Sequence, residues 1–311
     1  MKKIIKIAGN ILMLAALAFV IKKFIDMDID FTQLKSSGVT VALIISFVVQ
    51  TVIVIMGSFP WLVFTQSLSG CKIPFSVAMP IYTKSNIYKY VPGNVFQYIG
   101  RNKLAADMNI SHVDVACATV FDVIFCVLAT GIISVILLGG EISELLEKYG
   151  KNIFIIAIIG IALVAALIII VYMKFKGKFK EHLSRYKKAF EPSNRARLAK
   201  GILYYFVQNC ISAALYFVSL RLIFGSSTEA SALISLTGAF MFAWIVGFVT
   251  PGAPGGIGIR ESVMLFVCGN TNSEKVMLFV LVLRISSIFA DIAAFAVGNI
   301  YIGLSRKKAE N

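Results

Sequence analysis

The chain has 311 residues, of which 58% are hydrophobic and 15% charged, and its mean hydropathy is +0.85. Soluble domains run nearer about 45–50% apolar and about 25% charged, so composition excludes a soluble enzyme or binding domain and predicts a polytopic membrane protein. The net charge of +14 does not point to nucleic acid: ten of the thirty basic residues fall in residues 174–200, and others flank the termini (Lys2, Lys3, Lys6, Arg306, Lys307, Lys308), as cytoplasmic flanks do.

Residues 4–25 follow Lys2 and Lys3 and imitate a signal peptide, but the apolar run is long enough to predict an uncleaved first span. Residues 39–64 form the second span, with Trp61 near an interface. Residues 74–90 are mixed, with Lys84, Asn86 and Lys89 beside Tyr82, Tyr88 and Tyr90. They lead through Val91-Pro92-Gly93-Asn94 into residues 95–106, which carry Arg101 and Lys103. This reads as two short helices joined at Pro-Gly, a re-entrant hairpin; the alternative is an amphipathic helix lying on the surface. Residues 114–138 are the third span, with Asp122 inside it, and residues 139–151 an outer loop with Glu141, Glu144 and Glu147.

Residues 152–173 are the fourth span, leading to the basic cytoplasmic loop 174–200. Residues 201–224 are the fifth, with Gln208 and Asn209 within it. Residues 231–249 then run into TPGAPGGIGIRE, Thr250 to Glu261, where two prolines and four glycines cannot continue a helix. The short helix that follows, 257–268, covers only about 18 Å, so a second re-entrant hairpin is expected. Residues 276–304 are the last span, containing Arg284 and Asp291.

The predicted fold is therefore an all-α membrane domain over residues 1–311, with about six full transmembrane helices and two re-entrant broken-helix hairpins. With the basic loop inside, both termini are cytoplasmic and the two hairpins enter from opposite sides. That is an inverted repeat with halves of about 1–151 and 152–311. The sequence itself carries the repeat: Pro92-Gly93, seven residues, Arg101 matches Pro251-Gly252, seven residues, Arg260. Ser111 precedes Asp122 by eleven residues, as Ser273 precedes Arg284.

Broken helices at membrane depth are where transporters place ligands. Gly255, Gly256 and Gly258 open a half-helix whose first N–H groups have no intrahelical partner, and Arg260 in its first turn offers a planar fork for phosphate. Glu261 suits capping the helix, pairing with an arginine, or meeting an ammonium or hydroxyl. The candidate binding residues are Pro251, Gly252, Gly255, Gly256, Gly258, Arg260 and Glu261, with Pro92, Gly93, Asn94 and Arg101 in the first half. A structural reading competes with this one: a snorkelling Arg260 with a capping Glu261, and Arg101 as a cytoplasmic flank. Asp122, Arg284 and Asp291 are intramembrane charges, candidates for a charge pair or proton path. Asp122 and Arg284, equivalent in the repeat and opposite in sign, are expected to approach each other. The five cysteines form no CxxC pair, and His112 and His182 lie far apart. No metal, cofactor or enzymatic motif is expected.

At TPGAPGGIGIRE and YVPGNVFQYIGR the sequence resembles the flippase-like membrane domain of lysylphosphatidylglycerol synthases and its stand-alone relatives. The resemblance implies movement of lipid between leaflets of the cell membrane. It also implies a partner that is a phosphate-bearing lipid headgroup, aminoacylated or polyprenyl-linked, with homo-oligomers or glycan-assembly partners also compatible. The synthases carry a soluble aminoacyl-transferase domain after this region, whereas this sequence stops at Asn311, so a lysyl transferase acting alone is not expected. The leading expectation is a lipid translocator. The alternatives are an integral-membrane transferase acting on a lipid phosphate and a non-transporting accessory of a glycan or lipid export complex.

Overall fold

Apolar runs punctuated by Ser, Gly and Pro give helices whose ends fall where those residues stand. A computed structural model describes residues 36–91, 95–139, 191–250, 254–256, 258–268 and 273–310. The expected spans 4–25 and 152–173, the acidic loop beyond Gly139, and Pro92, Gly93, Asn94, Pro251 and Gly252 lie outside them.

The described residues are helical, with no strand among them. Helix α1 (Ser37–Met56) starts where Ser36 Oγ accepts the Val39 N–H, the ordinary serine N-cap. It passes through Gly57 into α2 (Ser58–Ser69), which stops at left-handed Gly70. The two make one apolar stretch, Ser37–Ser69, longer than the predicted 39–64 because Gly57 keeps helical angles (φ −59°, ψ −16°). Helix α3 (Phe75–Asn86) tightens into a 3₁₀ turn, Ile87–Tyr90, and the chain resumes in α4 (Phe96–Ala106). Helix α5 (His112–Leu138) follows.

Helix α6 (Pro192–Phe224) begins earlier than expected. Part of the predicted basic loop, 192–200, is therefore helix. Pro192 is pre-set for the first turn, Leu198 is buried in the core around Trp61 and Phe64, and Asn194 Nδ2 donates to Ser67 O. Helix α7 (Ala230–Val249), the half-helix α8 (Ile259–Cys268) and α9 (Ser273–Glu310) complete the fold.

Among the described residues, five stretches are long and apolar enough to cross a membrane: Ser37–Ser69, His112–Leu138, Asn194–Phe224, Ala230–Val249 and Glu274–Ile302. Ala230–Val249, expected as one arm of a hairpin, is thus itself of spanning length. By contrast α3, α4 and α8, of 12, 11 and 10 residues, fall short of the roughly 20 residues that a crossing needs.

The surface is apolar. Val41, Ile44, Val48 and Val52 on α1, and Leu128, Ile132, Val135 and Ile136 on α5, face outward, while Arg101, Asp122, Glu261, Arg284 and Asp291 are buried. That inversion suits lipid as solvent: apolar side chains lose nothing by facing it, and charges gather inside.

Two cores form. One collects Trp61, Phe64, Ile81, Ala105, Val115 and Leu198 around α2, α3, α4 and α5. The other collects Leu220, Leu233, Phe240, Met264, Phe279 and Leu283 around α6, α7, α8 and α9. Helix α9 packs along both α1 and α3, and α7 lies against α5. At that crossing a Cβ on Gly238 would come within 2.9 Å of Leu138 N, so only glycine allows the approach that lets Ser134 Oγ donate to Gly238 O at 2.8 Å.

Candidate functional site

Between the two cores lies a cavity of about 230 Å³, lined from both halves of the chain. Among the described residues, the charged groups in its wall and Glu261 behind Arg284 form three ion pairs and leave one cation over.

The first pair joins α4 to α5. Arg101 Nη1 donates to Asp122 Oδ2 at 3.0 Å, and Arg101 Nε to Ser85 Oγ at 3.3 Å. Its guanidinium lies 3.8 Å from the Tyr82 ring centre. The other carboxylate oxygen of Asp122 accepts the hydroxyl of Tyr205 on α6. Arg101 is only 2% exposed, so it is no cytoplasmic flank; its charge, fork and flat face are each occupied.

The second pair ties the glycine-rich break to α9. Arg284 donates to Gly255 O at 2.5 Å and to Gly256 O at 2.9 Å, and to Glu261 Oε1 at 3.1 Å. The other oxygen of Glu261 accepts the Gly258 N–H at 2.8 Å. Glu261 therefore caps the half-helix and pairs with an arginine at once, leaving neither oxygen free for an ammonium. Gly255, Gly256 and Gly258 have φ of 58°, 72° and 85°, the left-handed region in which a side chain is strained. A Cβ on Gly256 would also fall 2.9–3.0 Å from the Gly247 backbone of α7. Two of these glycines thus turn their carbonyls to an arginine, a task different from the anion cradle the sequence suggested.

The third pair ties the end of α3 and its 3₁₀ turn to the same helix. Asp291, two turns from Arg284 on α9, accepts from Asn86 Nδ2 at 2.7 Å and from the Tyr90 hydroxyl at 2.5 Å, and pairs with Lys89 Nζ at 2.7 Å. The two breaks also meet, since the Tyr90 ring lies against Gly255.

Asp122 and Arg284 do not pair with each other as expected. Each is taken by the motif residue nearest it in the chain, Arg101 and Glu261, because those side chains are delivered to it by the adjoining short helix. Both still line the one cavity.

Arg260 is the cation left over. Among the described residues no carboxylate pairs with it. Its Nε is buried without a hydrogen-bond partner, and its guanidinium lies 5.7 Å from the centre of the Trp244 ring. A buried donor without an acceptor costs about 1–3 kcal/mol, more when charged, so the arrangement favours an anion entering the cavity. Gln208 on α6 also lines this cavity, and its Oε1 is likewise buried and unpartnered.

Sequence reasoning assigned no role to Asn86, Lys89, Tyr90, Tyr205, Gln208 or Trp244. Only their polarity within apolar surroundings marked the first five, and nothing marked Trp244. Among the described residues no three His, Cys, Asp or Glu side chains gather as a metal site.

No curated protein sequence matches the chain. Residues 6–294 match the sequence profile described as the lysylphosphatidylglycerol synthase TM region. An all-helical architecture, an apolar exterior and buried charges around a central cavity accord with that match, which covers most of the chain, and the chain belongs to the lysylphosphatidylglycerol synthase TM region family.

Proposed function

We propose that the protein is a lipid translocator that takes a phosphate-bearing headgroup into its central cavity at Arg260 while the tails stay in the bilayer. The observation that carries this is the uncompensated Arg260 beside three internally neutralised ion pairs. A headgroup phosphate supplies the missing charge and accepts from a planar donor fork.

In this reading α3–α4 and α7–α8 are two broken-helix hairpins of an inverted repeat, with both termini cytoplasmic. Helix α9 anchors each break by a separate residue, Asp291 for the first and Arg284 for the second. Releasing one anchor while the other holds opens the cavity to one leaflet at a time. The described residues contain no nucleotide-binding motif, so movement runs down a gradient or is coupled to ions, with Asp122, Asp291 and Glu261 as proton-carrying candidates. Pro92, Gly93, Asn94, Pro251 and Gly252 are further candidate headgroup-binding positions.

Purified protein in liposomes carrying headgroup-labelled lipids tests the proposal. Wild type is expected to speed leaflet exchange and Arg260→Ala to abolish it, with Arg260→Lys retaining part of the rate. Exchange at the wild-type rate in Arg260→Ala refutes the site. New lipid product without exchange shifts the assignment to a transferase, and neither activity shifts it to an accessory of an export complex.

A further inference from the structure

Resting on the translocator reading for its role in transport, we infer that the clasp between Lys89 and Asp291 is a proton switch. When the 3₁₀ turn leaves α9, Asp291 takes up one proton in place of the donors it loses.

The three clasps differ in the cation they use. Asp122 is paired with Arg101 and Glu261 with Arg284, and these arginine side chains are only 2% and 4% exposed. A guanidinium does not give up its proton in a protein. Protonating either carboxylate would therefore strand a cation away from water, which a membrane interior penalises. Asp291 is paired with a lysine instead, and the Lys89 side chain is 25% exposed. Lys89 can swing into water with its charge while a proton stays behind on Asp291.

The partners of Asp291 also stand on one segment. Asn86 Nδ2 donates to its Oδ1, while the Tyr90 hydroxyl and Lys89 Nζ meet at its Oδ2. All three residues lie at the end of α3 or in the 3₁₀ turn, Ile87–Tyr90. Moving that segment strips a carboxylate that is 1% exposed of all three at once. An unpaired charge so buried is costly, and the group neutralises by binding a proton.

The surrounding charges do not replace what is lost. Helix α1 packs along α9 and carries no charged residue from Ser37 to Met56. Helix α6 lines the cavity with Tyr205 and Tyr216 and with no charged residue. Lys84, the other cation of α3, moves with that helix. On α9 itself, Arg284 is committed to Glu261 of α8 and to the glycine carbonyls. Arg260 on α8 lines the same cavity, and a headgroup phosphate bound there takes up its charge. Lipid and proton then favour each other's uptake. The sign follows: the closed clasp holds Asp291 ionised and the open one holds it protonated, so the clasp is kept at high pH and lost as pH falls.

The test uses the whole chain, without its native cysteines, in nanodiscs of phosphatidylglycerol and phosphatidylcholine. Spin labels are placed at Phe96→Cys on α4, which packs on the 3₁₀ turn, and at Phe289→Cys on α9, both exposed positions. Double electron–electron resonance is expected to show a second, longer distance that grows as pH falls. Asp291→Asn, a neutral stand-in for the protonated form, should show the longer distance at every pH. Lys89→Gln keeps the carboxylate and removes its cation, so the response should shift to higher pH by about one unit; a lysine that only packs would not move it. Asp122→Asn and Glu261→Gln should keep the wild-type response.

A wild-type distance that ignores pH overturns the inference. So does a response that survives Asp291→Asn, or one that Lys89→Gln leaves in place. In liposomes, a pH gradient should drive exchange of headgroup-labelled lipid in wild type and not in Asp291→Asn. Asp291-dependent movement without exchange removes the translocator reading and keeps the switch. Exchange that ignores the gradient, with a distance that ignores pH, does the reverse.

Discussion

Breaking the Arg101–Asp122 pair should unmask how α4 is held against α5. Asp122→Leu removes the one carboxylate among the described residues that pairs with a guanidinium 2% exposed, together with the bond at 3.0 Å to Arg101 and the bond to Tyr205. Removing one partner of a buried pair costs about 3–5 kcal/mol; the neighbouring cavity argues for the lower end, about 3 kcal/mol. With an unfolding entropy near 2.1 cal/mol/K per residue, that is a fall of about 5 °C in the unfolding midpoint. Arg101→Met should cost a similar amount by stranding Asp122. The double variant Arg101→Met/Asp122→Leu removes both charges and puts apolar side chains of similar bulk in their place, which is often close to neutral. It should fall no further than either single variant, a coupling of about 3 kcal/mol. Thermal unfolding of the purified protein in detergent, followed by tryptophan fluorescence, measures all four proteins. Additive losses, with the double variant about 10 °C down, or single variants that melt with the wild type, would refute the reasoning that this pair is a buried structural clasp.

The other predictions follow from the same geometry. Arg260→Gln strands no carboxylate, so its unfolding midpoint should stay within about 2 °C of wild type while lipid binding is lost; a large fall would mean that Arg260 is a structural residue. Gly256→Ala combines a φ of 72° with a Cβ 2.9–3.0 Å from the Gly247 backbone and should destabilise by about 2 kcal/mol or more, seen as reduced folded yield and midpoint; wild-type stability would contradict the close packing of the break on α7. Gly238→Leu forces α7 off α5 and should cost about 1–3 kcal/mol by the same assay, and wild-type stability would contradict that close crossing. The ideal Cβ of Gly298 lies 3.5 Å from Thr83 Cβ, at the short end of disulfide geometry. In a background lacking the native cysteines, Thr83→Cys/Gly298→Cys should therefore cross-link α3 to α9, and oxidation should stop leaflet exchange until a reductant restores it. Unchanged exchange in fully cross-linked protein would show that α3 need not leave α9.

The membrane character, the helical class and the breaks were legible because each is a local property. A run of apolar residues has a length, a Pro-Gly pair interrupts a helix whatever surrounds it, and charges inside such runs stand out. The partners of those charges were not legible. Asp122 and Arg284 each stand eleven residues after a serine and differ in sign, yet each is satisfied by a residue of the adjoining short helix, about twenty positions away. Asp291 finds its partners more than two hundred residues away in the chain. Opposite sign at equivalent positions says which residues need neutralising; it does not say which neutraliser arrives.

The sequence by itself determined that the chain lives in a bilayer, where its helices break, and that Arg260 stands at the start of a half-helix. Only the tertiary structure decided that Arg101 and Glu261 are occupied within their own halves, that one helix anchors both breaks, and that Arg260 and Gln208 are left with unsatisfied buried atoms in one cavity. The physical reason is that helix formation and membrane partition are set by neighbouring residues, whereas the balance of charge inside a cavity is a sum over side chains delivered from every helix around it.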